Sequence, residues 1–152
     1  MLSKITDKIW LGNELDSFAA MGCTAILTVA VEPFPSDILA TTAKCGLIDG
    51  PGNPPALYQA ALCELHGLLA MGHTVMVHCI EGVSRSPFIV ACYLAMLTPE
   101  PENEFENCLE QVKAAHPPTN VRPEHLAIQP DLDLFELYRT MRRAAMHVKR
   151  AR

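Results

Sequence analysis

Val77-His78-Cys79-Ile80-Glu81-Gly82-Val83-Ser84-Arg85-Ser86-Pro87 is the stretch on which the reading of this chain turns. The β-rich run Thr74-Val75-Met76-Val77-His78 leads into it, and an apolar, helix-like run from Phe88 to Leu97 leads out. At a strand-to-helix junction, successive backbone N–H groups can curl around an anion while the helix N-terminus adds partial positive charge. Gly82 lets the backbone turn and approach a ligand closely, and Arg85 brings a planar fork that matches two phosphate oxygens and keeps its charge. Cys79, at the strand end, faces the same donors, dipole and guanidinium, all of which favour a thiolate. The stretch therefore predicts a phosphate cradle from Ile80, Glu81, Gly82, Val83, Ser84 and Arg85, with Cys79 as a nucleophile beneath it.

Working outward, Ile9-Trp10-Leu11, Ala25-Ile26-Leu27-Thr28-Val29-Ala30 and Cys45-Gly46-Leu47-Ile48 read as further strands. Between the last of these and the run ending at His78, Leu57, Ala61, Leu65 and Leu68 recur at helical spacing within Ala56 to Ala70. That predicts a strand–helix–strand crossover and parallel pairing. Beyond His78 the pattern is helical: Ser86 to Leu97, apolar nearly all round and so central; Phe105, Cys108, Leu109 and Val112, opened by Asn103 with Glu106 at capping-box spacing; and Leu134, Leu137, Met141, Ala145 and Val148. The fold class is α/β, a small central, mostly parallel sheet of four to five strands flanked by helices. The basic end Lys149-Arg150-Ala151-Arg152 suits the negative pole of its helix and reads as a solvated terminus.

Composition bounds the rest. With 152 residues, the chain reads as one domain over 1–152, without internal repeats. A net charge of −5 gives no footprint for nucleic acid or an anionic membrane. The longest apolar run falls well short of the ~20 residues needed to cross a bilayer, and the N-terminus lacks the pattern of a secretory signal. Cys23, Cys45, Cys63, Cys79, Cys92 and Cys108 lie scattered through apolar segments, which points to a reducing cytoplasm. Cys63 and His66 stand one helical turn apart without a second ligand pair, so core packing outweighs zinc. The other cysteines apart from Cys79 read as small buried hydrophobes, and Trp10, Phe88 and Met96 as core.

The stretch from His78 to Ser86 resembles the H-C-x5-R-S/T signature of cysteine-dependent protein tyrosine phosphatases, in the H-C-x-x-G-x-S-R-S form of the dual-specificity phosphatases. Trp10-Leu11-Gly12 is similar to that family's first-strand element, and the order of strands and helices matches its small catalytic domain over essentially the whole chain. The resemblance implies a protein tyrosine phosphatase-like fold and a phosphorylated protein or peptide as partner. No metal or organic cofactor is expected. It also implies a general acid about thirty residues before the cysteine, a place held here by Asp49, with an Asx turn as the competing reading and Asp37 and Glu81 as poorer candidates. Partial burial near a phosphate is expected to raise the Asp49 pKa.

The same resemblance gives Ser86 the part of stabilising the departing thiolate and His78 that of a hydrogen-bonding support for the loop, with Ser84 bracing it. Pro87 departs from the small residue usual there, which a first helical turn tolerates. Asn120 and Arg122-Pro123 match the family pattern only loosely and receive no site role. A shallow pocket is expected, entered past the loops Val31-Glu32-Pro33-Phe34-Pro35 and His116 to Val121, admitting phosphotyrosine and also phosphoserine or phosphothreonine. The absence of Lys and Arg from the loop variables disfavours inositol phosphates. The competing functions are a silent phosphate-binding pseudophosphatase, which would usually lose the cysteine, and a phosphatase of a non-protein phosphomonoester. A low-molecular-weight tyrosine phosphatase, whose loop follows the first strand, fits the mid-chain position poorly.

Overall fold

Five short strands make one sheet: β1 (Ser3–Lys4), β2 (Ile9–Gly12), β3 (Ala25–Thr28), β4 (Thr41–Lys44) and β5 (Val75–His78), in the spatial order β1-β2-β5-β3-β4. The computed structural model describes residues 1–16, 22–33 and 40–151, with 146–151 by backbone alone. Every pairing is parallel except β1 with β2. β5 lies between β2 and β3 in register Gly12↔His78↔Thr28, so three strands end level and Cys79 emerges from the middle one. The strands β3 and β5 are buried throughout, as expected of parallel strands covered on both faces.

Five α-helices follow the same sequence logic: α1 (Pro55–Ala70), α2 (Arg85–Met96), α3 (Pro101–Ala115), α4 (Pro123–Ile128) and α5 (Leu134–Ala151). α2 is buried at every residue but Leu94. It packs against α1, α3, α5 and the sheet, which is the physical meaning of its being apolar all round. Phe88, at its N-terminal half, meets the rings of Tyr58, Phe105 and His125 at centroid distances of 5.5, 5.8 and 5.8 Å. One aromatic cluster thus joins α1, α2, α3 and α4, and truncating such a side chain costs about 3–5 kcal/mol.

Several sequence expectations are corrected. The fourth strand is Thr41–Lys44 rather than Cys45–Ile48. Its largely exposed Thr-Thr-Ala-Lys edge carries no apolar signal, whereas Cys45 and Leu47 are buried in the irregular segment that leaves it. The crossover through α1 joins β4 to β5, which are parallel but not neighbours, because β3 stands between them. The short antiparallel β1 was not anticipated, nor was α4 with the 3-10 turn over Gln129–Leu132. α3 opens at Pro101 on Glu100 rather than on Asn103, whose Nδ2 donates to Glu100 Oε2 at 3.2 Å from inside the first turn. Proline at the first helical position moves the start upstream of the capping-box pattern. On α5, Leu134 is buried but Ala145 is exposed; the side chains of Val148 and of Lys149-Arg150-Ala151-Arg152 lie outside the described residues, as do Phe34, Pro35 and Asp37.

Candidate active site

A cavity of about 430 Å³ opens where β5 gives way to α2, lined by Cys79, Ile80, Glu81, Val83, Ser84 and Arg85, with Glu32, Asp49 and Asn120 to Pro123 around them. The loop between strand and helix is turned so that four of its carbonyls are used up. Ile80 O accepts from Glu14 N (2.9 Å), Gly82 O from His116 Nε2 (2.8 Å), Val83 O from Asn120 N (2.8 Å) and Ser84 O from Phe88 N (3.0 Å). Among the described residues, none of the amides from Ile80 to Arg85 donates a hydrogen bond. A loop whose acceptors are spent on the scaffold and whose donors are unspent is an anion site by its own chemistry. Gly82 is not in the cavity wall; it makes the turn, at φ +70°, and a Cβ there would sit 2.5 Å from Gly12 O.

Cys79 is 2% exposed, and its Sγ lies 3.3 Å from Ser86 Oγ on the first turn of α2. His78 is fully buried: its Nδ1–H donates to Cys79 O (2.9 Å), so Nε2 accepts from the Thr28 hydroxyl (2.8 Å). Burial pushes its pKa below the ordinary histidine value, which keeps the ring neutral and fixes that tautomer. Ser84 Oγ accepts from Arg122 N at 3.0 Å, tying the loop to the start of α4. His116, not singled out from the sequence, is buried and spans from Ser3 Oγ (2.8 Å) to Gly82 O.

Arg85 has five N–H donors, and the structure accounts for three. Nη1 donates to Glu32 Oε2 (2.8 Å) and to Leu47 O (2.8 Å), and Nη2 to Glu32 Oε1 (3.3 Å). Nε is buried without a hydrogen-bond partner. Glu32 thus holds the far edge of the guanidinium, and the Nε–Nη2 edge is left as an open fork. Lys44 Nζ in turn donates to the carbonyls of Val31 and Glu32, which anchors that carboxylate's backbone. The hydrogen bond from Arg85 holds the Glu32 carboxyl below its ordinary pKa. From the sequence, Glu32 is expected only to border the entrance.

Asp49 lies on the cavity wall, with Oδ2 3.2 Å from Arg122 Nε and Oδ1 3.4 Å from His125 Nε2 and 4.0 Å from Arg85 Nε. The expected rise of its pKa is not what this geometry gives. Burial does push it up, but the hydrogen bonds of His125 and Arg122 and the charge of Arg85 outweigh burial and hold it below the ordinary carboxylate value. The cause is the pair of partners on α4 and its cap, brought in from more than seventy residues away and invisible to local sequence reading. Arg122, given no role from the sequence, and His125 are therefore part of the site. The competing Asx turn is not open to Asp49, because Pro51 two residues on has no N–H; the loop is closed instead by Asn53, whose Oδ1 accepts from Ile48 N (2.9 Å) and whose Nδ2 donates to Ile48 O (2.7 Å).

Other expectations fall away from the site. Cys63 is exposed on the outer side of α1 rather than packed in the core, because the buried face of that helix runs through Tyr58, Ala61, Leu62, Leu65 and Leu68. His66 is half-buried against Tyr93 OH at 3.1 Å. Cys23 and Trp10 are half-buried, at a sheet end and beside the two-residue β1, which is too short to cover a full ring. No group of three or more His, Cys, Asp or Glu among the described residues is placed to hold a metal ion. No helix among them is long and apolar enough to cross a membrane.

No family model matches the chain. Among curated proteins it is 29% identical over 119 residues to Dual specificity protein phosphatase 22-A of Danio rerio, covering 74% of this chain and 56% of that one. It is 26% identical over 128 residues to Dual specificity protein phosphatase 15 of Mus musculus, covering 80% and 53%. The chain thus spans about half the length of the curated relatives it matches. Among solved structures it superposes on the crystal structure of DUSP15 with a TM-score of 0.80, at 23% identity, over 93% of this chain and 95% of that one. Its relatives are named dual-specificity protein phosphatases, and the α/β sheet flanked by helices is the fold of their solved structures.

Proposed function

We propose that residues 1–152 form one catalytic domain of a cysteine-dependent protein phosphatase that hydrolyses phosphotyrosine and accepts phosphoserine and phosphothreonine. One observation carries the reading: Ile80, Glu81, Val83, Ser84 and Arg85, with their unspent amides and the unpartnered Arg85 Nε, line the same cavity as Cys79. A tetrahedral phosphate dianion fits that donor set, and its phosphorus then stands over the sulfur.

In the first step, Cys79 Sγ attacks phosphorus, a P–S bond forms and the P–O bond to the substrate breaks. The amides and Arg85 hold the three equatorial oxygens, while Asp49 gives its proton to the departing oxygen. In the second step water attacks the phosphocysteine, Asp49 takes a proton from it, and the P–S bond breaks. Ser86 Oγ–H, at 3.3 Å, stabilises the sulfur as its negative charge returns. An arriving phosphate dianion competes with Asp49 for Arg85 and Arg122, which relieves the charges that hold the free carboxyl ionised. Turnover requires Cys79 reduced, and the six free thiols suit the cytoplasm. The presence of Cys79, Arg85 and Asp49 in one cavity disfavours a silent phosphate-binding module.

The test is hydrolysis of para-nitrophenyl phosphate, then of phosphotyrosine and phosphothreonine peptides, with chelator and reductant present. Cys79→Ser is expected to lower kcat by about 10⁴-fold or more. Asp49→Asn is expected to lose about 10²-fold or more on phosphotyrosine. A folded, reduced wild type that binds vanadate without turning over any of these substrates would overturn the reading.

A further inference from the structure

Behind Asp49 runs a buried chain of polar groups that phosphoryl transfer itself does not call for. Asn53 Nδ2 lies 3.3 Å from Tyr58 Oη, Tyr58 Oη lies 2.7 Å from His125 Nδ1, and His125 Nε2 lies 3.4 Å from Asp49 Oδ1. Asn53, Tyr58 and His125 are 7%, 2% and 0% exposed. They come from three places in the fold: the loop after Asp49, α1, and α4. Phe88 stacks on the imidazole at an interplanar angle of 26°, and Tyr58 meets it edge-on.

The direction of these bonds follows from what each atom can do. An ionised Asp49 accepts only, so His125 Nε2 carries the hydrogen. Asn53 Nδ2 donates only, so the Tyr58 oxygen accepts from it and turns its own O–H to His125 Nδ1. The imidazole is then neutral, with one defined tautomer. The groups facing it are Asp49 from its loop, Tyr58 from α1, Arg85 from α2 and Glu124 from α4 itself. Burial, aided by Arg85, lowers the His125 pKa despite the pull of Asp49 and Glu124, in keeping with a neutral ring.

The two oxygens of Asp49 therefore have unlike partners. Oδ1 meets a donor locked in a buried stack at 3.4 Å, with Arg85 Nε further off at 4.0 Å. Oδ2 meets Arg122, whose side chain is 52% exposed on the cavity wall and free to turn to another anion. We infer that the Asn53–Tyr58–His125 chain is a positioning relay that keeps Oδ1 occupied and so assigns the catalytic proton of Asp49 to Oδ2. This rests on the reading of Asp49 as general acid. When Arg122 swings away to the substrate, Oδ2 is the oxygen left open for protonation. His125 touches no reacting atom and exchanges no proton with the substrate.

The experiment uses a property of general acids: they matter for poor leaving groups and little for good ones. kcat/KM, which reads through formation of the phosphocysteine, is measured for a phosphotyrosine peptide and for 2,4-dinitrophenyl phosphate, with Asp49→Asn as the reference. His125→Phe is expected to lose about tenfold or more on the peptide and less than about threefold on the dinitrophenyl ester. His125→Gln, whose amide N–H can stand where Nε2–H stood, recovers most of that loss. Tyr58→Phe, which removes one oxygen from an otherwise unchanged ring, shows the same selectivity in smaller degree and decides the matter if His125→Phe does not fold. ¹⁵N spectra of the histidines give a readout independent of turnover: His125 neutral, with hydrogen on Nε2.

Equal losses on both substrates, a Gln variant no better than Phe, or hydrogen on Nδ1 each overturn the relay. If Asp49→Asn itself lacks the leaving-group signature, the acid assignment falls and the relay with it. If it has the signature and neither His125→Phe nor Tyr58→Phe does, the relay alone falls.

Discussion

The two walls of the cavity are built in opposite ways. On the side of Cys79, the proposed nucleophile, the carbonyls at Ile80, Gly82 and Val83 are each held by a donor from elsewhere in the chain, and His78 and His116 are buried and neutral. On the side of Asp49, the proposed acid, the carboxylate is about one-third exposed, its loop is closed by Asn53 bonding the backbone of Ile48, and the partner of Oδ2 is the half-exposed Arg122. The nucleophile wall is fixed by shape and the acid wall by charge. On the proposed mechanism, attack on phosphorus tolerates little displacement, whereas a group that must first hold a proton and then take one back needs a field that changes when substrate arrives.

The sharpest way to break this contrast is at Gly82. Gly82→Ala places a Cβ against Gly12 O and Asn13 N at a left-handed backbone position. It is expected to destabilise the chain by about 3 kcal/mol and to lower kcat by about 10²-fold, read by urea unfolding and steady-state kinetics. A stable, active Gly82→Ala would mean that the cradle is not fixed by shape.

On the other wall the effect is one of position on the pH axis. Because Arg122 helps hold the Asp49 carboxyl low, Arg122→Gln is expected to raise that pKa. With Asp49 as the proposed general acid, the limb of kcat/KM that falls with rising pH depends on its protonated form, so that limb is expected to move to higher pH. An unmoved limb would remove Arg122 from the field around the acid.

The smallest effect is on stability, and it joins the walls. Burial lowers the folded-state pKa of His78, His116 and His125 below the unfolded value of about 6.5. The unfolded chain therefore takes up their protons first. Stability is full above about pH 6.5 and falls as pH drops toward the folded-state values, by at most about 1.4 kcal/mol per histidine per pH unit. Asp49 and Glu32, also lowered, add a further loss only in the acid range below about pH 4. Urea midpoints at pH 7.5 and 5.5 test this, and equal midpoints would contradict three neutral buried imidazoles.

How much of this was legible in the sequence follows the same division. The loop from Cys79 to Ser86 is contiguous, so its turn, its charge and its nucleophile stand side by side on the page, and α2 announces itself by being apolar all round. The acid wall is assembled from Glu32, Asp49, Arg122 and His125, which come together only because β3, β4 and α4 do. Arg122 is marked only by a loose match to the family pattern and His125 by nothing local; a lone arginine and histidine in a Pro-rich turn look like solvent-facing residues. Glu32 was noticed only as part of a loop. The misplaced fourth strand has a related cause: hydrophobicity reports burial, and at Cys45 and Leu47 the buried segment is a loop, while the true strand lies on an exposed edge.

The sheet order carries one more consequence. β2 and β3 never pair with each other; each pairs with β5, which arrives some fifty residues or more later in the chain. A chain growing from its N-terminus has no strand to join β1–β2 to β3–β4 until Val75–His78 takes its place between them. That closing insertion is a late, long-range event of the kind that slows folding, and the residue that follows it is Cys79. Sheet completion and assembly of the nucleophile loop are one event, so a partly folded chain exposes no working thiol cradle, and recovery of turnover during refolding times the closure of the sheet.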